Sequence, residues 1–343
     1  MLLDLNREEV IDYIKGLGFP AFRGEQVYDA MLQGKKLDEV SNIPKNIKET
    51  IKEVYPHFEI AKKLESSDGT IKYAFKMFDG EIIESVFMKY KYGNTLCVST
   101  QVGCRMGCKF CASGLHGLKR NLSSGEILSQ VIMANRDNGG TVKERAVTNV
   151  VLMGSGEPLD NYDNVIKFFE LLGEEKGLKI SPRNISPSTC GIVPNIYKLA
   201  DENKSVTLTI SLHAPNDEIR KKTMPIANRY SIKEIIEACK YYFEKTGRRV
   251  IFEYTLIKDV NDSEECAREL SNLVKGFPSH INVIPLNYVK ERDLKQPTSK
   301  SAYVFAGLLE KLGTSATVRR TLGSDIGGAC GQLRNSLMEE GKW

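Results

Sequence analysis

The chain has 343 residues, 41% of them apolar and 27% charged, with 48 Lys plus Arg against 44 Asp plus Glu and a formal net charge of +4. That length buries a large core and predicts one large domain with an accessory piece, or two domains. So slight a charge excess neither demands nor excludes nucleic acid, and no apolar run approaches the roughly 18 residues of a membrane span, so no membrane partner is expected.

Residues 1–9 carry acidic side chains where a signal peptide would carry basic ones, and a cytoplasmic location is expected. Asn6-Arg7-Glu8-Glu9 has capping-box spacing and is followed by Val10, Ile14 and Leu17 at helical intervals; Gly18-Phe19-Pro20 ends that helix. A second helix is predicted from Phe22, with Val27, Met31 and Leu32 on one face, and a third after Pro44 through Ile47 and Ile51. Residues 1–65 thus read as a small helical accessory domain. Residues 66–93 read as a β-hairpin linker, with strands at 72–77 and 82–88 around Asp79-Gly80. From 94 to 333 the pattern is strand, loop, helix, repeated, and 334–343 is a C-terminal tail. Strands are predicted at 95–99, 149–153, 206–212, 250–254, 281–285 and 316–319. Ser-x-x-Glu boxes open helices at Ser123 and Ser231, and another helix carries Val165, Phe168, Phe169 and Leu172. The fold class is therefore α/β, a parallel sheet or β/α barrel whose active site belongs at the carboxyl ends of the strands.

The eight cysteines, at 97, 104, 108, 111, 190, 239, 266 and 330, are too few and too clustered for a disulfide scaffold. Cys104, Cys108 and Cys111 form a C-x3-C-x2-C run directly after a predicted strand. Three thiolates fill three positions of a four-site centre and leave one open, which suits a catalytic 4Fe–4S cluster. Structural zinc would require a fourth ligand from Cys97 or His116. Inert thiols are the bland alternative, and three cysteines in eight residues beside glycines are poor core material. Arg105, Lys109, Lys119 and Arg120 surround the run, and Arg319 and Arg320 precede Cys330, a distribution that suits a polyanionic substrate. Arg220, Lys221 and Lys222 read equally well as a solvated face.

Several segments carry a closer resemblance: Leu96-Cys97-Val98-Ser99-Thr100-Gln101-Val102-Gly103-Cys104, Gly154-Ser155-Gly156-Glu157-Pro158-Leu159, Ser211-Leu212-His213-Ala214-Pro215-Asn216 and Ala329-Cys330-Gly331-Gln332-Leu333, in that order. The cysteine run resembles that of radical S-adenosylmethionine (SAM) enzymes. The four segments together resemble the bacterial RNA adenine-C2 methyltransferase family, RlmN, from the N-terminal helices to about Leu333. The resemblance implies a partial (β/α)6 barrel with Cys104, Cys108 and Cys111 as ligands of a 4Fe–4S cluster whose open iron chelates SAM. It implies cofactor contacts from Gly156, Glu157, Ser188, Ser211, Leu212, His213 and Asn287. By themselves, Glu157 reads as a surface residue capping a turn and His213 as a structural histidine.

In that family two SAM molecules are used per turnover. One methylates the cysteine that Cys330 matches, and the other yields a 5′-deoxyadenosyl radical that abstracts hydrogen from the new methyl group. The carbon radical then adds to C2 of adenine, a position too electron-poor to attack a sulfonium methyl itself. Cys97 matches the cysteine that releases the product through a transient disulfide, and Glu84 matches the proposed acceptor of the C2 proton. Without the resemblance, Cys97 is a buried strand thiol and Glu84 one acid in an apolar strand. The implied partners are ribosomal RNA, transfer RNA and an electron donor such as flavodoxin or ferredoxin; a monomer is expected. The N-terminal helices are the expected RNA-facing addition.

Two departures from the family pattern stand out. Ser155 replaces a common methionine, and Gly327-Gly328 replaces a common Asp-Ala. The competing readings are a sister methyltransferase acting at adenine C8, against which Pro158 speaks, another radical SAM class, and a zinc-bound RNA-binding module.

Overall fold

The computed structural model describes residues 1–57 and 59–333. The capping spacings in the sequence become hydrogen bonds. Asn6 accepts from the Glu9 amide and Glu9 from the Asn6 amide at the start of α1 (Arg7–Gly16). α2 (Ala21–Leu32) and α3 (Lys45–Ile51) complete the N-terminal helices.

Three antiparallel strands follow: β1 (Ile60–Glu65), β2 (Ile71–Lys76) and β3 (Ile82–Met88). β3 pairs antiparallel with β4 (Thr95–Cys97), so this meander continues directly into the main sheet. A separate two-stranded ribbon, β5 (Gln101–Gly103) and β6 (Leu118–Asn121), brackets the cysteine loop. The chain then alternates through α4 (Ser124–Asp137), β7 (Asn149–Leu152), α5 (Tyr162–Gly173), β8 (Ile185–Thr189), α6 (Val193–Asp201) and β9 (Thr209–Ser211). α7 (Asp217–Thr223), α8 (Ile232–Thr246), β10 (Val250–Leu256), α9 (Glu264–Leu273), β11 (Ser279–Pro285), α10 (Ser299–Lys311) and β12 (Ala316–Val318) complete it.

From β4 through β7, β8, β9, β10 and β11 to β12, each strand pairs parallel with the next. This gives six β/α units and one closing strand, in an open sheet with β1 and β12 at its two edges. Crossover helices cover the outer face, and their apolar stripes fill the space behind it: Ile127 and Val131 of α4, Val165 and Phe168 of α5, Ile235 and Tyr242 of α8, Leu270 of α9 and Phe305 of α10 are buried. Each such side chain contributes about 2 kcal/mol of burial. The expected strand at 206–212 is hydrogen-bonded as a strand only over Thr209–Ser211, because Ser205 and His213 on either side take left-handed backbone.

The N-terminal helices share this core. Leu2, Leu3, Val10, Ile14, Val27 and Met31 belong to the same apolar cluster as the α4 and α5 side chains. Asp4 Oδ1 accepts from the Ser124 hydroxyl and the Gly125 amide at the first turn of α4. Glu174, just past α5, accepts from the Arg7 amide and the Tyr28 hydroxyl. No helix of the described residues is long and apolar enough to cross a membrane.

Candidate active site

The carboxyl ends of the parallel strands, and the loops that follow most of them, meet over one cavity of about 120 Å³. Its lining includes Cys104, Cys108 and Cys111, Gly156 and Glu157, Ser188, Ser211, His213, Asn287 and Cys330. The sequence-predicted site residues therefore converge, with three exceptions: Leu212, Cys97 and Glu84.

The cysteine loop is held at its base by the β5–β6 ribbon. A Cβ on Gly103 would fall 2.0 Å from the Gly117 carbonyl, which accepts from the Cys104 amide, so only glycine fits. The loop's far side is tied down by backbone contacts: Lys109 N–H to Thr223 O, Ala112 N–H to Gly331 O, and the Arg292 guanidinium to Cys111 O. Its three thiols are free. Burial pushes the Cys104 thiol up to about 12 and that of Cys108 higher still. Such thiols become thiolates when a metal centre replaces their protons, so loading is coupled to proton release. Among the described residues no three His, Cys, Asp or Glu side chains converge as ligands of one ion would. In a 4Fe–4S cluster each thiolate takes its own iron, and three thiols spread along one cavity wall fit that donor set. Cys97, a possible fourth zinc ligand, does not line this cavity.

Gly154 and Gly156 let the loop after β7 lie against the β4–β5 connection. A Cβ on Gly154 would meet Ser99 Oγ at 2.7 Å, and one on Gly156 would meet Thr100 Oγ1 and Gln101 Cβ at 2.7 Å. Gly156 also has φ +109°, a conformation costly to other residues. Gly156→Ala should therefore lower stability by about 3 kcal/mol. An unchanged urea midpoint would contradict the packing just described. Ser155, the departure from the common methionine, uses only its backbone: its carbonyl accepts from the Thr100 and Gln101 amides, and its amide donates to Ser99 Oγ. The Glu157 carboxylate is buried and accepts from the Leu159 amide at 3.0 Å and the Cys190 amide at 2.7 Å, tying the β7 loop to the β8 loop. Burial raises its pKa despite these donors.

His213 follows β9 in left-handed conformation, edge-on to Phe110 of the cysteine loop. The Thr255 amide donates to His213 Nδ1 at 2.9 Å, so the neutral ring carries its proton on Nε2. Burial, then the nearby Arg220 charge, lower its pKa to about 3 from 6.5. The folded chain thus holds the ring neutral where the unfolded chain protonates it. The unfolded state binds the extra proton between those values, so stability is complete above about pH 6.5 and falls as pH drops below it. His213→Asn keeps an acceptor and tolerates the left-handed backbone; its urea midpoint should fall less between pH 7 and pH 5 than that of the parent. Equal slopes would count against the buried neutral ring. Leu212 is fully buried and contributes backbone only, its carbonyl accepting from Arg220 Nε.

Two residues outside the expected site set support it, Glu253 in the lining and Arg220 behind it. Glu253 of β10 accepts from the Ser188 hydroxyl at 3.1 Å and from Arg319 at 2.8 Å, and Ser188 is itself 3.1 Å from Ser211 Oγ. A lone acid in the apolar run Val250-Ile251-Phe252-Glu253-Tyr254 was the available signal. Arg220, fully buried, also donates to Cys190 O at 2.6 Å and so braces the β8 and β9 loops.

The segment after β12 returns over the site. Asn287 donates to Cys330 O at 3.0 Å, and Ser113 Oγ donates to Leu333 O. Cys330 lies in the wall between the main cavity and a second one that also holds Cys97 and Arg319. Burial pushes the Cys97 thiol up to about 11 and the Cys330 thiol to about 12; the Arg319 charge opposes both shifts. Glu84 lies in neither cavity lining. It is buried in β3 and ion-paired at 2.7 Å to Lys72, whose ammonium also donates to Gly327 O. Gly327 and Gly328 thus stand where the C-terminal loop meets β2 and β3, with Gly327 in left-handed conformation.

Comparison with known proteins bears directly on this site. The family model for the radical SAM superfamily matches residues 98–270. The probable dual-specificity RNA methyltransferase RlmN of Lachnospira eligens is 53% identical over 341 residues, covering 98% of this chain and 96% of the relative. The protein of the same name from Clostridium botulinum is 51% identical over 343 residues, covering 98% and 97%. Among solved structures, a radical SAM methyltransferase from Sphaerobacter thermophilus superposes with a TM-score of 0.92 at 40% identity, covering 97% of this chain and 99% of that one.

Proposed function

Because the chain belongs to the RlmN family of radical SAM RNA methyltransferases, we propose that it methylates C2 of adenosine in 23S ribosomal RNA and in transfer RNA, using Cys330 as methyl carrier and Cys97 as releasing thiol. The observation that carries this reading is the position of Cys330, in a wall shared by the cavity of the three cluster cysteines and the cavity of Cys97. Cys104, Cys108 and Cys111 would hold the 4Fe–4S cluster, and the loops bearing Gly156, Glu157, Ser188, Ser211, Leu212, His213 and Asn287 would hold SAM. When bound, these groups supply a transferable methyl and a hydrogen-abstracting radical, two SAM molecules being used per turnover.

The chain's own part is nucleophilic and then redox-neutral at sulfur until release. Cys330 Sγ, as thiolate, takes the methyl group and presents its carbon to the base. Once that carbon is joined to C2 and the adduct's odd electron has returned to the redox centre that Cys104, Cys108 and Cys111 would hold, Glu84 would accept the C2 proton; it is paired with Lys72, which donates to Gly327 O of the Cys330 loop. Cys97 Sγ, as thiolate, then attacks Cys330 Sγ. A sulfur–sulfur bond forms, the sulfur–carbon bond breaks, and the departing carbon takes a proton to become the methyl group. Adenine C2 is reached only when the base leaves its stack, so RNA shape contributes to substrate choice. Residues 1–65 serve as an RNA-facing accessory unit, 66–93 as its connection and 94–333 as the catalytic core, acting as a monomer with an external electron donor of the flavodoxin or ferredoxin kind. The expected C-terminal tail at 334–343 lies outside the described residues.

The test is anaerobic reconstitution with SAM, reductant and either RNA, followed by mass spectrometry of the nucleosides. 2-Methyladenosine is the expected product. 8-Methyladenosine would move the chain to the C8 reading, and no modified adenosine would overturn both.

A further inference from the structure

The segment Lys89-Tyr90-Lys91-Tyr92 between β3 and β4 has no task in the reaction described above. Its two tyrosine rings are stacked, with centroids 5.2 Å apart and planes 12° from parallel. Tyr92 is 79% exposed, so only its inner face is covered. Tyr90 is half-buried, its hydroxyl donating to Met88 Sδ, and it lines the cavity that contains Cys97 and Cys330. The same two rings, with Lys91, Arg319 and Arg320, line an opening of about 460 Å³. Every parallel strand from Thr95 of β4 to Thr317 and Val318 of β12 contributes to its lining, so it is the mouth of the concave inner face of the open sheet, with the tyrosines where β4 and β12 leave that sheet unclosed.

A ring that is four-fifths in water and stacked on one side offers a free π-face. Cations beside such a face, and a cavity with the reacting thiol behind it, match an unpaired nucleotide: base on ring, phosphate on cation. We propose that Tyr90 and Tyr92 form a stacking ladder for single-stranded RNA. A base flanking the target adenosine rests on the outer face of Tyr92, Lys91 and Arg320 receive its backbone phosphates, and the target base is thereby led through that mouth toward Cys330. The proposal rests on the reading that RNA is the substrate and deepens it by assigning where the strand enters. Tyr92 and Lys91 are positioning residues; neither touches the reacting carbon.

The experiment uses reconstituted holoenzyme and a protein-free RNA transcript, comparing the parent with Tyr92→Leu, Tyr92→Phe, Tyr92→Trp, Lys91→Ala and Arg320→Ala. Loss of one base–aromatic stack is expected to raise KM for RNA and the Kd from fluorescence anisotropy about tenfold in Tyr92→Leu. The kcat should hold within about twofold, and Phe or Trp should restore the parent values. Each lysine or arginine removal should reduce the slope of log Kd against log salt by about one. Melting curves identify any variant that fails to fold, and the aromatic replacements then decide the question alone. Parent turnover with unchanged KM in Tyr92→Leu would overturn the ladder and leave the rings to a protein contact. Equal losses in Leu and Phe would assign the effect to the hydroxyl and overturn stacking. A parent enzyme that modifies no RNA sinks the functional reading itself, a result distinct from either.

Discussion

Cys330→Ala protein should load its cluster and bind SAM, yet give no methylated adenosine above a no-enzyme control. The reason is where the thiol stands rather than what holds it. The contacts that dock its loop are made by other atoms: the Cys330 carbonyl to Asn287, the Gly331 carbonyl to the Ala112 amide, and Gln332 to the Tyr288 carbonyl. Truncating Sγ removes none of them, so the cavity lining survives while the sulfur proposed to carry the methyl group is lost. The cysteine loop keeps its β5–β6 base and its contact with Thr223. Iron and sulfide content equal to the parent, with no RNA product, is the expected pair of results. Residual methylation at even a hundredth of the parent rate would remove Cys330 from the role of carrier, because a covalent step has no partial substitute.

Cys97→Ala should behave in the opposite way, accumulating protein covalently joined to RNA. Cys97 sits in β4, buried, opposite Val86 of β3 and Val151 of β7, and alanine fits that strand position without a new clash. Its sulfur shares a cavity with Cys330 and with Arg319, whose charge favours both thiolates against burial. On the proposed route, the carbon–sulfur bond at Cys330 then lacks the thiolate that would break it. A denaturing gel should show a nuclease-sensitive shift of the protein band, absent in the Cys97→Ala, Cys330→Ala double variant. Finding only free RNA, methylated at the parent rate, would assign release to some other group.

Much of this arrangement was legible in the sequence because it is local. Capping boxes at Asn6, Ser123 and Ser231 depend on spacings of three residues and appear as written. The cysteine run, the Gly154–Gly156 loop and His213 follow strands whose apolar patterns are plain. What was hidden depends on partners distant in sequence. β8 reads Ile-Ser-Pro-Ser-Thr, and its proline speaks against a central strand; the parallel register that pairs Pro187 with Leu152 tolerates it. β1 is a lysine-bearing edge strand with no fully buried position. Arg220 looked like one residue of a surface run, whereas it is buried among the Cys190, Ser211 and Leu212 carbonyls. Glu84 was read from its match to a family position, and its ion pair with Lys72 follows from the β2–β3 register that no short spacing reveals.

The contact between the N-terminal segment and α4 constrains how the N-terminal helices and the barrel can be inherited. A Cβ on Gly125 would lie 2.7 Å from the Leu3 carbonyl carbon and 2.9 Å from the Asp4 amide nitrogen, while Asp4 accepts from the Ser124 hydroxyl and the Gly125 amide at that helix's start. Neither side can drift alone: a larger residue at 125 requires a rerouted residue 3, and a lost acid at position 4 leaves donors exposed on the other side. A chimera that exchanges residues 1–57 between relatives will therefore melt like its parents only where position 125 is glycine and position 4 an acid. In a heat scan the helices and the barrel should come apart together, as a single inherited unit.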